Sequence, residues 1–207
     1  MKGILAVWND CSAQMEACYE HWYKTEHLPE RLCIPGFIAA NRYEAIEASR
    51  KYFTYYETET QQVLSSPAYL ERLESPTELT RAVMPFFTNA SRTVCGLSAR
   101  FGDSMGAKAV TFHWRDKGED ISELAAELVR LPGVTRTQIW TASAEQTPPT
   151  AEARARNASD ELIARALIVD CLRENDVREI ARRLASDSRM ADAEIGMYTL
   201  LCTRGEN

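Results

Sequence analysis

GILAVW at residues 3–8 and AKAVTFHW at residues 107–114 open the two halves of the chain in the same way, with a short apolar run ending in tryptophan. The two halves continue alike. A segment with helical spacing leads to a Pro-Gly pair, Pro35-Gly36 in the first half and Pro132-Gly133 in the second. An alternating stretch comes next, FIAANRYEA (37–45) and VTRTQIWTA (134–142), then KYFTYYE (51–57) and RALIVDCL (165–172). A second helical segment and a closing run, RTVCGLSARF (92–101) and AEIGMYTLLCTR (193–204), complete each half. The runs rich in Val, Ile, Thr and aromatics, bounded by turn residues, predict strands. The order is therefore β-α-β-β-α-β, twice.

One such unit makes a sheet with both helices on one face and the other face bare. A bare apolar face must be covered, and a second copy of the same sheet covers it. The prediction is an α+β chain of two ferredoxin-like repeats, residues 1–103 and 107–204, packed sheet to sheet. FGDSMGAK (101–108), with its two glycines, marks the boundary. A ligand cavity is expected between the sheets.

In the first helix, about 12–32, Met15, Cys18, Trp22 and Thr25 recur at helical spacing, with Ser12 as N-cap. Pro67 and Pro76 divide the next helical segment in two, with Ser66 and Ser75 placed to cap the pieces. Asn175 or Asp176 is placed to cap the last helix, whose Ile180 and Leu184 share a face. The polar stretch ASAEQTPPTAEARARNASDE (142–161) is long for a loop, so it is either mobile or holds a short helix of its own.

The 207 residues carry a net charge of −6, and the two halves contribute −3 each. That acidity disfavours nucleic acid and anionic membrane surfaces as partners. No apolar stretch reaches the ~18 residues of a membrane span. Asp10 interrupts MKGILAVWND too early for a secretory leader. A cytoplasmic protein is expected. The six cysteines show no CxxC and no Cys/His ligand spacing, so they read as reduced structural thiols and no metal is expected. There is no GxSxG and no Gly-rich phosphate loop.

HWYKTEHLPERLCIPGF (21–37) resembles the EthD-like branch of the dimeric α/β-barrel superfamily, here in a fused, pseudo-dimeric form. The residues that carry the resemblance are His21-Trp22, His27 with Pro29, and Pro35-Gly36, and RYEA (42–45) fits the next strand. It covers about residues 3–100 by motif and 107–204 by element order only. The second half lacks the paired histidines. The resemblance implies one site, made mostly by the first half. It also implies chemistry of the kind seen in cyclases, cofactor-poor monooxygenases and decarboxylases acting on aromatic or polyketide substrates.

His21 and His27 are six apart, about 600° of helical turn and about 120° off one face, so they do not form a shared metal pair. Either imidazole titrates near neutrality and suits proton transfer. The bland alternative for His27 is a helix C-terminal cation facing the dipole or bonding a loop carbonyl, and His21 likewise has an ordinary structural reading. Arg31 and Arg42 are candidates to grip a ligand anion; Arg31 could instead pair with Glu26 or Glu30, and Arg42 with Glu57. Trp8, Tyr55 and Trp22 are the candidate pocket walls, with core packing as their ordinary role. No organic cofactor is required. The expected partner is a small-molecule acid and, as an option, a second copy of the fused barrel. Two further readings stay open: a non-catalytic metabolite-binding or structural barrel, and haem binding through His27 or His113.

Overall fold

The structure, a computed structural model, describes residues 1–116, 118–156 and 160–205. Eight strands are β1 (Gly3–Cys11), β2 (Phe37–Glu47), β3 (Tyr52–Thr58), β4 (Phe87–Phe101), β5 (Lys108–Trp114), β6 (Val134–Ala142), β7 (Arg165–Cys171) and β8 (Glu194–Gly205). They close into one barrel in the order β1-β3-β2-β8-β5-β7-β6-β4. Every neighbouring pair is antiparallel. Read within each half, the order is 4-1-3-2 and then 8-5-7-6, the same ferredoxin-like arrangement. The halves join along two seams, β2 with β8 and β4 with β6.

Among the described residues, seven α-helical segments lie outside the barrel: α1 (Glu16–Trp22), α2 (Leu28–Leu32), α3 (Pro67–Glu74), α4 (Glu78–Val83), α5 (Ser122–Leu128), α6 (Ala151–Ala155) and α7 (Glu174–Leu184). Pro-Gly ends the first helical segment of each half for a shared reason. Gly36 and Gly133 sit at φ +89° and +83°, where a side chain is strained. The carbonyl of each then accepts from the residue just past the end of the neighbouring strand, β3 or β7: Glu59 N–H to Gly36 at 2.8 Å and Leu172 N–H to Gly133 at 2.9 Å.

Strand alternation sorts side chains into three apolar layers. Leu5, Val7, Tyr52, Tyr56 and Val94 face the first-half helices, where Tyr19, Trp22, Leu28, Leu73 and Val83 meet them. Val110, Phe112, Leu167 and Val169 face α5 and α7 in the second half. The third layer is the barrel interior, filled by Ile4, Trp8, Tyr43, Phe53, Tyr55, Trp140, Ile168 and Tyr198. This corrects the expected cavity between the sheets. Phe53 stacks on Trp8 at 4.7 Å and Tyr43 at 5.3 Å, and Trp140 lies 5.0 Å from Tyr55, so large aromatics occupy the space.

Three local predictions also change. Ser12 makes no side-chain cap, and a short 3-10 turn precedes α1. Thr77, not Ser75, caps α4 by accepting from Thr80 N–H at 3.0 Å, whereas Ser66 caps α3 as predicted. The last helix is capped at Arg173, two residues before Asn175 and three before Asp176, and the Arg173 N–H donates to Asp176 at 2.9 Å.

Candidate functional site

Between α1 and α2 the helix widens into a π turn, Tyr23–His27. Such a turn adds a residue to the local repeat and commonly marks a functional position. Its effect here is to bring residues five apart into contact: the Trp22 and His27 rings lie 4.1 Å apart. The buried face is therefore Tyr19, Trp22, Tyr23, His27, Leu28 and Arg31, rather than the predicted Met15, Cys18, Trp22 and Thr25. Thr25 is exposed.

His27 is 7% exposed, and its ring also contacts Tyr23 at 5.1 Å and Tyr56 at 6.1 Å. Burial, reinforced by the Arg31 and Arg42 charges, holds its pKa well below the ordinary histidine value, so the imidazole is neutral at pH 7. Its Nδ1 is buried without a hydrogen-bond partner, and so is the Tyr56 hydroxyl. Arg31 is 2% exposed. Its Nη2 donates to Glu152 of α6, while Nη1 is buried without a partner. Burial opposes the Arg31 charge, and the Glu152 carboxylate more than offsets it, raising the pKa.

These groups line one cavity of about 20 Å³, room for a single water-sized sphere. Leu5, Val7, Trp22, Met84 and Phe87 form its apolar walls, and Tyr69, Arg92 and Arg156 complete its polar side. Arg92 donates to the Tyr69 hydroxyl at 2.7 Å and Arg156 to Asp160 at 2.6 Å. A cleft of about 510 Å³ lies immediately outside and shares Arg92, Glu152 and Arg156 with the inner cavity.

The structure brings together His27, Arg31 and Trp22 of the predicted site residues, and separates the rest. His21 is exposed on the helix surface. Arg42 faces the helices, but its guanidinium is occupied: it makes a two-point pair with Glu20 at 2.8 and 2.6 Å and lies 4.3 Å from the Tyr23 ring. Its partner is thus Glu20 and not Glu57, which pairs with Lys2 and Arg100. Arg31 pairs with neither Glu26 nor Glu30 but with Glu152. Trp8 and Tyr55 point into the barrel, on the opposite side of the sheet from His27. Trp22 is a wall of the cavity, anchored by a hydrogen bond from Nε1 to Thr80 Oγ1 at 3.0 Å.

Tyr56, Tyr69, Arg92, Glu152 and Arg156 were not singled out from sequence. Strand alternation placed Tyr56 opposite Tyr55, and the unusual length of 142–161 was the available signal for Glu152 and Arg156.

The His27 environment does not fit a haem, whereas His113 lines a cleft of about 680 Å³. The His27 cavity is far smaller than the macrocycle, and its ring is packed on Trp22. His113 lies inside the barrel against Trp8 at 4.6 Å, with Nε2 3.3 Å from Glu194. Among the described residues, no three His, Cys, Asp or Glu side chains form a metal-binding group, and no helix is long and apolar enough to cross a membrane. Burial raises the Cys95 and Cys171 thiols to about 12.

No family profile matches the sequence, and no curated protein sequence does. Solved structures do. An anthrone oxidase-like protein superimposes with TM-score 0.66 at 10% identity, over 100% of this chain and 93% of that one. A candidate monooxygenase from Fusobacterium nucleatum gives 0.58 at 10% identity over 99% and 95%. A heme-binding protein from Thermus thermophilus gives 0.50 at 10% identity over 97% and 91%. At such identities the likeness is one of architecture: the chain has the eight-stranded antiparallel fold of the dimeric α/β barrels, closed within one polypeptide.

Proposed function

We propose that the chain binds a small aromatic or polyketide-like acid in the cleft of about 510 Å³ beside the first-half helices, with its acid group reaching the inner cavity at Arg31, and acts on it without an organic cofactor. The cyclases, decarboxylases and monooxygenases implied by the EthD-like resemblance are the matching reaction classes. The observation that carries this reading is the convergence of His27 Nδ1, the Tyr56 hydroxyl and Arg31 Nη1, all buried and all unpartnered, on one cavity. Buried polar groups are nearly always satisfied, so three orphans at one point favour a hydrogen-bonding occupant there, the role an acid group of the ligand fills. Neutral His27 accepts a proton from the ligand, Tyr56 bonds a ligand oxygen, Arg31 neutralises negative charge, and Leu73, Pro148 and Leu162 of the outer cleft contact its apolar part. The two predicted units, 1–103 and 107–204, are proposed as a tandem duplication in which the first half keeps the site. The same geometry also supports binding without turnover.

Thermal shift with a panel of aromatic acids tests the reading, in wild type, His27→Gln and Tyr56→Phe. Binding to the native state raises the melting temperature by mass action. Tyr56→Phe removes an unsatisfied hydroxyl, so stability is unchanged or higher by about 1 kcal/mol while ligand binding weakens. Stability and affinity moving together, or a panel without a single hit, sinks the proposal. Product formation from a hit separates an enzyme from a binding protein.

A further inference from the structure

The stretch between β6 and β7, residues 143–164, is long, whereas its counterpart between β2 and β3 is residues 48–51. The long one crosses to the other half of the molecule. Its α6 packs against α3 and α4, and Ala155 touches the first-half core. It is pinned at both ends. Gln146 bonds both backbone groups of Val94, at 2.8 and 3.0 Å. Glu161 exchanges backbone bonds with Ala90 and Arg92 at 2.9 and 3.1 Å. Between the pins, the polar contacts of α6 with the first half are Glu152 to Arg31 inside and, on the surface, Arg154 and the Ala151 N–H to Glu74 at 3.1 and 3.3 Å.

Glu152 stands in a place built for an anion. Three guanidiniums, Arg31, Arg92 and Arg156, line the inner cavity against Glu152; on the outer cleft Asp160 pairs with Arg156, and Arg154 is matched by Glu74. The count leaves one positive charge over. Arg31 Nη1 and Arg156 Nε remain buried donors without acceptors. Glu152 lines both the inner cavity and the outer 510 Å³ cleft, so its side chain is part of the partition between them.

We infer that Glu152 occupies the ligand's carboxylate subsite as an internal surrogate, and that a carboxylate-bearing ligand enters from the outer cleft by taking its place on Arg31. This rests on the site proposed above and adds to it the route of entry, the position of the acid group and a competitor carried by the protein itself. Because the surrogate is tethered, it is present at high effective concentration and weakens binding of every free carboxylate. It also screens out neutral ligands, which cannot replace the Arg31 pair and would leave a buried charge uncompensated.

The test uses benzoate and its neutral counterpart benzamide, titrated into the full chain by Trp fluorescence or calorimetry. Glu152→Gln removes the competing charge and keeps the shape. Benzoate affinity then rises at least tenfold while benzamide affinity stays within twofold, and Arg31→Met abolishes the difference between the probes. If Glu152→Gln fails to fold alone, it is refolded with each probe; recovery with benzoate only has the same meaning. Equal changes for both probes, or recovery with neither, overturns the surrogate. If Glu152→Gln changes both probes equally while Tyr56→Phe weakens both, the site itself stands while the surrogate falls. If neither probe binds wild type or Glu152→Gln, both ideas are lost.

Discussion

The Arg31–Glu152 pair makes an asymmetric prediction. Arg31 is 2% exposed and Glu152 8%. Removing one partner of a buried pair costs about 3–5 kcal/mol when the other charge is abandoned. Glu152→Gln abandons Arg31, leaving three guanidiniums facing Asp160 alone, so about 3–4 kcal/mol is expected. Arg31→Met does not abandon Glu152, because Arg92 and Arg156 line the same cavity and compensate its charge. Methionine also keeps much of the packed stem, so this change costs about 1–2 kcal/mol. The double variant is more stable than additivity requires, with a coupling of about 1–3 kcal/mol. Urea unfolding monitored by tryptophan fluorescence reads all four proteins, with midpoints compared at unchanged slope. High salt leaves the cycle nearly intact, since a buried pair is little screened. A Glu152→Gln cost below that of Arg31→Met would refute the arginine excess at this cavity.

His27 carries a pH signature. Its native pKa lies well below the unfolded value near 6.5, so below that pH the unfolded chain takes up a proton that the native state refuses. Stability therefore falls with falling pH by about 1.4 kcal/mol per unit from this group, down to its native pKa. The difference between wild type and His27→Gln isolates it; parallel pH profiles would remove the claim that the imidazole is buried neutral. Phe53→Ala opens a void among Trp8, Tyr43 and Tyr198 and costs about 3–5 kcal/mol, yet leaves aromatic-acid binding within twofold, because the ligand lies on the other side of the sheet. Loss of binding there would return the site to the barrel interior. Thr77→Ala removes the cap of α4 and costs about 1 kcal/mol in chemical denaturation; no change would mean that Thr80 and Glu26 hold the helix start without it.

The fold was legible because its signals are local and occur twice. The Pro-Gly turns demanded glycine at positive φ, and strand alternation put Tyr52 and Tyr56 on one face and Phe53 and Tyr55 on the other. The site was legible only in part. Nothing along the chain says which face of a two-sided strand meets the helices, so Trp8 and Tyr55 were grouped with His27 although a sheet divides them. The π turn broke the 3.6-residue count and moved the buried face of the first helix. Arg31 was visible as a cation, but its partner lies far along the chain in a segment whose composition is that of a solvated loop.

The π turn also has a consequence for comparing chains by identity. Loss of one residue anywhere between Lys24 and Glu26 would restore a regular helix and swing everything beyond it by about 100°. His27 and Arg31 would both still be present, still four apart and still matched in any alignment, yet neither would be aimed at Tyr56. What aims them is a phase, kept by the length of the helix and not by the letters in it. Two chains sharing each named residue can therefore differ in whether the site exists, while two that share few can agree in it.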